Sequence, residues 1–279
     1  MSLASARPGS GASSVGRQAP IGVFDSGVGG LTVVRALQAQ LPAESILYLG
    51  DTARLPYGTK SEATVTEYTR RNLAFLEARG VKAVVIACNT ASALALPHLR
   101  PTLPTWGVVE PGAELAARDS TGRVGVIATE ATVLSDAYGR ALRRLRPQLE
   151  VWSVACALFV PLVEEGWQDD PVAEIVAERY LAPLREHAVD TVVLGCTHYP
   201  LLLPVLERVL GAGVALVDSG AAVAGRVASD LARAGLARPP GESSPEHHFC
   251  VTDAAERFRG LARRILNTDT VSLEHVEVR

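Results

Sequence analysis

Cysteine is scarce in this 279-residue chain. It stands only at positions 88, 156, 196 and 250, too few and too far apart for a disulfide framework or a paired-cysteine zinc ribbon. A reducing, cytoplasmic setting is expected. Lysine is scarcer still, with Lys60 and Lys82 alone, so pyridoxal phosphate has little choice of residue for its Schiff base. Lys82, opening a strand, reads as solvated. No apolar run reaches the roughly 18 residues that cross a bilayer. Neither sign of charge dominates, with 27 Lys and Arg against 30 Asp and Glu, and neither a membrane nor a nucleic acid is an expected partner. Residues 1–19 are rich in Ser, Gly and Ala and lack the apolar core of a secretory signal. Arginines without acids give them a faint likeness to an organelle transit peptide; a disordered tail is the simpler reading. Six histidines occur, but without HExxH, and His247 and His248 adjoin in a Pro- and Ser-rich stretch, so no metal site is expected.

Apolar residues, in contrast, make up 48% of the chain, enough for a large core in one or two domains. From Pro20 onward, short β-branched runs alternate with longer segments of helical period, which predicts an α/β fold with mostly parallel sheets. Expected strands cover 21–24, 45–49, 83–87, 105–109, 123–128, 150–154, 191–194 and 214–217. Expected helices cover 31–40, 61–79, 136–146, 171–187 and 221–234, with Ser61 as a start signal and Pro171 at a first helical position. Residues 238–246 read as a linker to a last strand near Phe249 and a helix over 254–265.

Two parts of the chain look alike. Val84-Val85-Ile86-Ala87-Cys88-Asn89-Thr90 matches Val192-Val193-Leu194-Gly195-Cys196-Thr197-His198, each a buried strand ending in a cysteine before a helix start. Residues 21–26 match 124–129 at a nearly equal offset. This predicts two similar doubly wound domains, 20–111 with 219–279 and 112–218, whose strand ends face a shared interdomain cleft, where open parallel sheets bind ligands. Cys88 and Cys196 would stand on its opposite walls. An isolated cysteine is ordinarily an inert core residue, and Cys156 and Cys250, outside the strand-cysteine-helix setting, read that way.

The turn Asp25-Ser26-Gly27-Val28-Gly29-Gly30-Leu31-Thr32 follows a strand and opens a helix, a setting in which backbone N–H groups cradle an anion. Thr32 stands where a dinucleotide fingerprint needs glycine, and Thr59 spoils a P-loop reading of 56–61. A small carboxylate fits here as well as a phosphate. Each cleft thiol has polar neighbours, Asn89 and Thr90 beside Cys88, Thr197 and His198 beside Cys196. A helix N-terminus lowers a thiol's pKa from about 8.5 and frees it as base or nucleophile. Two thiols facing one another point to a reaction nearly symmetric about one atom, such as taking a proton from one face of a carbon and returning one to the other.

In order along the chain, Asp25-Ser26-Gly27-Val28-Gly29-Gly30, Pro56-Tyr57-Gly58, Cys88-Asn89-Thr90-Ala91, Phe159-Val160-Pro161-Leu162-Val163-Glu164-Glu165-Gly166 and Gly195-Cys196-Thr197-His198-Tyr199-Pro200-Leu201 closely resemble the glutamate racemases of the Asp/Glu racemase superfamily. The similarity runs from about residue 20 to about residue 260. It implies a cofactor-independent isomerase that interconverts L- and D-glutamate for peptidoglycan, commonly as a homodimer, with its site between two α/β domains. It implies Cys88 and Cys196 as the acid/base thiols, Asp25 as partner of Cys88, and Glu164 with His198 serving Cys196. Ser26, Tyr57, Gly58, Asn89, Thr90 and Thr197 then bind substrate together with Asp25 and His198, and Thr129 and Thr132 add to them from the second domain. Of Glu164 and Glu165, the motif favours Glu164 as the cleft residue. Cys156-Ala157-Leu158 departs from the family, where proline often follows that cysteine; the catalytic set is untouched.

An aspartate or hydantoin racemase would keep both cysteines around a pocket of different length. From another class, a single-thiol amidase built on Cys196, His198 and Glu164 would leave Cys88 dispensable.

Overall fold

The computed structural model describes residues 14–241, 244–268 and 271–278. Among these, ten strands form two sheets: β1 Ile21–Asp25, β2 Ile46–Gly50, β3 Ala83–Ile86, β4 Thr105–Gly107, β5 Arg123–Ala128, β6 Glu150–Ala155, β7 Thr191–Gly195, β8 Ala215–Asp218, β9 His247–Val251 and β10 Leu273–His275. One sheet runs β10-β9-β2-β1-β3-β4 and the other β6-β5-β7-β8, and every pairing is parallel. The repeat legible in the sequence is therefore topological: β2-β1-β3-β4 recurs as β6-β5-β7-β8. In such an order the winding reverses between β1 and β3, and again between β5 and β7, which opens a crevice outside the strand ends at each switch. Asp25 and Cys88 stand at the first switch, Thr129 and Cys196 at the second.

The strands read as unbroken apolar runs because both of their faces are covered. Val23 and Val85 belong to the core on one face of the first sheet, Phe24 and Ile86 to the core on the other. Val126 and Val193 are likewise separated from Ile127 and Leu194 in the second sheet. Each fully buried side chain of this kind stabilises by about 1.5–3 kcal/mol, so the strand ends at the switches rest on rigid ground. Start signals act as expected: Ser61 Oγ accepts from Thr64 N at 3.3 Å to open Glu62–Ala78, and Asp170 Oδ1 accepts from Val172 N at 2.8 Å ahead of Pro171–Glu186.

Several expectations change. Strand β4 stops at Gly107, and Val109 opens the helix Val109–Asp119 instead of ending the strand. His247 and His248 begin β9 and do not belong to the preceding linker. Of the tail expected to be disordered, residues 1–13 lie outside the described residues, but Ser14–Gln18 is helical, and the Lys82 ammonium donates to the Arg17 carbonyl at 2.8 Å. Lys82 is not solvated: it pairs with Glu44 at 2.5 Å, both side chains being 2% exposed. Its partner lies far away in sequence, and burial, opposed by the Glu44 charge, holds its pKa below the ordinary range. Among the described residues no helix is long and apolar enough to cross a membrane.

Candidate active site

Ser26, Tyr57, Gly58, Cys88, Asn89 and Thr90, on the side of the first sheet, line a cavity of about 340 Å³. Thr129, Glu164, Cys196, Thr197 and His198 close it from the side of the second. Asp25 and Thr132 stand immediately behind this lining. Asp25 Oδ2 accepts from Gly27 N at 3.0 Å, and the Thr132 hydroxyl lies 3.2 Å from that of Thr90 and 2.9 Å from that of Thr129.

Cys88 caps the helix Asn89–Leu94, its sulfur accepting from Ala91 N at 3.5 Å and donating to Ser26 Oγ at 3.7 Å. The expected lowering of its pKa does not occur. Burial, reinforced by the Asp25 charge, outweighs the Ala91 N–H and pushes the thiol up to about 12. Near neutrality Cys88 is an acid. Asp25 thus acts on Cys88 by charge; its own hydrogen bonds run to Gly27 N and to the Thr197 hydroxyl at 3.5 Å. Burial raises the Asp25 carboxyl above its usual range, against the pull of His198 and of the Gly27, Gly30 and Ser26 N–H groups.

The surroundings of Cys196 are different. His198 Nδ1 lies 3.8 Å from its sulfur, and His198 Nε2 lies 3.2 Å from Glu164 Oε1. Burial disfavours charge on this imidazole, but its hydrogen bonds to Cys196 and Glu164 and the nearby Asp25 prevail, pushing its pKa up to about 10. The imidazolium is the resting form. The same hydrogen bond holds the Glu164 carboxyl below its usual range. Arg257 Nη2 lies 3.4 Å from Glu164 and 3.1 Å from Glu165, but Glu164 is 17% exposed and lines the cavity whereas Glu165 is 61% exposed and does not, so Glu164 is the cleft residue.

Two lining residues have their polar groups committed elsewhere. Tyr57 OH donates to Asp51 Oδ2 at 2.5 Å and accepts from Asn72 Nδ2 at 3.0 Å. Asn89 Oδ1 accepts from Tyr138 OH at 2.6 Å, and its Nδ2 lies 3.5 Å from Ser219 Oγ. These two residues shape the wall more than they offer side-chain ligands. Sequence reasoning missed Asp51, Asn72, Tyr138 and Ser219; only Asp51, a carboxylate just after a buried strand, carried a signal.

The two halves meet closely at the Gly-rich turn. A Cβ at Gly29 would lie 2.4 Å from Thr197 Oγ1 and 2.5 Å from His198 Nδ1, so glycine alone permits the approach. Thr32, the residue that breaks the dinucleotide fingerprint, donates to the Thr197 carbonyl at 2.9 Å. No group of three or more His, Cys, Asp or Glu suited to a metal ion occurs among the described residues. The cavity suits a small molecule, and its two walls offer thiols set in unlike proton environments.

Two parallel sheets of one topology, enclosing a small cavity with a thiol on each wall, describe an isomerase of the racemase class. The profile of the Asp/Glu/Hydantoin racemase family matches residues 21–227. The glutamate racemase of Geobacter metallireducens is 52% identical over 250 residues, 88% of this chain and 92% of that one. A glutamate racemase from Francisella tularensis, solved in complex with D-glutamate, matches with a TM-score of 0.88 at 38% identity over 94% of this chain and 98% of that one. A glutamate racemase isoform from Bacillus anthracis matches with a TM-score of 0.89 at 36% identity and the same coverage. The chain belongs to the Asp/Glu/Hydantoin racemase family, and within it to the glutamate racemases.

Proposed function

We propose that the protein interconverts L- and D-glutamate by two-base proton transfer between Cys88 and Cys196, without a bound cofactor or metal. The observation that carries this reading is one cavity lined by both thiols, each with its own proton-handling neighbours. The substrate Cα lies between the sulfurs. Its carboxylates are received by backbone N–H groups and by the hydroxyls of Ser26, Thr90 and Thr197.

The Cα–H bond is a very weak acid, so the charge that develops when it breaks needs fixed dipoles around it. The imidazolium of His198 offers a positive charge for a Cys196 thiolate. That thiolate removes the Cα proton from one face, the electron pair moves into the substrate carboxylate as an enediolate, and the Cys88 thiol delivers its proton to the opposite face. One turnover leaves Cys196 protonated and Cys88 as the thiolate, the starting state for the other enantiomer. A substrate ammonium beside Asp25 would offset the charge that keeps Cys88 protonated. We read the sheets as two domains, 20–111 with 219–279 and 112–218, that close on the substrate and exclude water.

We further read the protein as a cytoplasmic homodimer that supplies D-glutamate for peptidoglycan. The free state of Cys88, Cys156, Cys196 and Cys250 fits a reducing compartment, and kinship with the glutamate racemases supports the rest. The test is polarimetry of L-glutamate, D-glutamate and L-aspartate, each incubated with chelator-dialysed protein. Both glutamate enantiomers should lose rotation with equal kcat/KM, since the equilibrium constant is one. Response to aspartate alone would overturn the substrate, and amide hydrolysis undiminished by Cys88→Ser would establish the amidase.

A further inference from the structure

The cavity wall at Tyr57 and Gly58 is held from behind. Tyr57 is buried, its hydroxyl on Asp51 and its ring tilted against Tyr68 at 5.7 Å between centroids. Asp51 is fully buried and also accepts from the Thr252 hydroxyl at 3.1 Å. Arg54 touches this assembly at three points. Its Nη1 lies 3.4 Å from each Asp51 oxygen, its guanidinium sits 5.1 Å over the Tyr68 ring, and its Nη2 donates to the carbonyl of Val278.

Val278 lies at the far end of the chain. Val276 and Val278 are buried in the same core as Tyr57 and Cys88, and Val276 N donates to the Val251 carbonyl at 2.9 Å as the segment leaves β10. Arg54 therefore reaches Tyr57 by two routes, through Asp51 to the hydroxyl and through Tyr68 to the ring. Gly58, the next residue, has no slack: a Cβ there would lie 2.8 Å from Thr129 Cβ across the cleft. A shift of Tyr57 is transmitted to the cavity.

We propose that Arg54 is a positioning residue that couples the C-terminal segment, residues 276–278, to the Tyr57–Gly58 wall of the substrate cavity. Arg54 does not line the cavity; it acts through Asp51 and Tyr68. The inference rests on the racemase reading for its kinetic signature, not for its structural one. Arginine suits the place because a planar guanidinium can meet a carboxylate, a carbonyl and an aromatic face together.

The test compares full-length Arg54→Met, Arg54→Lys and Val278→Asp, the last placing an unpaired charge in the core so that the segment undocks. Arg54→Met and Val278→Asp should each raise KM for glutamate about fivefold or more with kcat within about threefold. The double variant should do no worse than the stronger single, and Arg54→Lys should recover part of the loss. Lys82→Met, which destabilises the fold elsewhere, should leave KM unchanged. Amide hydrogen exchange at residues 57–59 reads the coupling without turnover and should be faster in both Arg54→Met and Val278→Asp. Unchanged exchange at 57–59, or a KM that stays at the wild-type value while the melting temperature falls, would overturn the proposal. A wild type that racemises nothing while its variants show the faster exchange would overturn the racemase reading and leave the coupling standing.

Discussion

The Cys196 sulfur and His198 Nδ1 lie 3.8 Å apart, whereas the Cys88 sulfur has the Ser26 hydroxyl at 3.7 Å. Two thiols of one cavity are thus served unequally, one by an imidazolium backed by Glu164 and the other by a hydroxyl beside a buried carboxylate. A racemase with an equilibrium constant of one must have equal kcat/KM in both directions, so this inequality appears in kcat and KM separately. On the proposed two-thiol mechanism, the enantiomer that presents its Cα–H to Cys196 should meet the thiol backed by the imidazolium.

Replacing either thiol should stop racemisation without stopping all chemistry. Cys88→Ser and Cys196→Ser are each expected to lose on the order of 10³-fold in kcat, within the range for removal of a positioned acid or base. Each should still exchange the α-proton of one enantiomer, and a different one in each variant. Mass spectrometry of both enantiomers in D2O checks this; equal residual exchange of both enantiomers in one variant would contradict the assignment of faces.

Glu164 and Glu165 are adjacent but should behave very differently. Glu164→Gln removes the carboxylate from His198 Nε2 and is expected to lower kcat about tenfold or more, as loss of a charge-assisted hydrogen bond at the site. Glu165, exposed and paired with Arg257, should tolerate Gln within about twofold. Steady-state kinetics of the two variants decide it.

The proton on His198 links stability to pH. Its pKa in the folded protein is about 10, above the ordinary 6.5, so the stabilisation is complete below about pH 6.5 and is lost as pH rises through about 10. Across that window the stabilisation falls with rising pH to the extent that Cys196 keeps its own proton beside the imidazolium, so His198→Gln should remove at most one proton's share of the slope, on the order of 1.4 kcal/mol per pH unit. Nitrogen NMR shifts of the His198 ring at pH 7, 8 and 9 read its proton directly, and a neutral ring at pH 7 would contradict the imidazolium.

The buried pair Lys82–Glu44 predicts a stability effect apart from catalysis. Lys82→Met leaves the Glu44 charge buried without its ammonium and should cost about 3 kcal/mol or more, part of which Lys82→Met with Glu44→Leu would restore. Activity per folded molecule should not change. Thermal melts and titration of active sites check both statements.

What could be read in the sequence was what depends on neighbours along the chain. Apolar runs such as Val84-Val85-Ile86 mark strands covered on both faces, and Ser61 and Pro171 mark helix starts through bonds made within a turn. The cysteine-ended strands at 88 and 196 placed both thiols, because a topology used twice leaves the same local pattern twice. Charge environments were not legible. Lys82 looked solvated because Glu44 is remote in sequence, and the Cys88 thiol looked acidic because a helix N-terminus is a local feature whereas its burial beside Asp25 is not. Nor does the motif that marks Tyr57 and Asn89 as substrate-binding residues show that Asp51 and Tyr138, brought from other elements, hold the Tyr57 hydroxyl and the Asn89 amide oxygen.

The most direct measurement of the central claim is the fate of the α-proton when L-glutamate and D-glutamate are incubated separately in D2O and stopped at low conversion. Two bases on opposite walls predict that the product carries solvent deuterium while the unreacted substrate remains largely protonated, from either starting enantiomer. Deuterium accumulating equally in substrate and product, or protium carried intact into the product, would mean that one group moves the proton on both faces, and the roles given to Cys88 and Cys196 would be wrong.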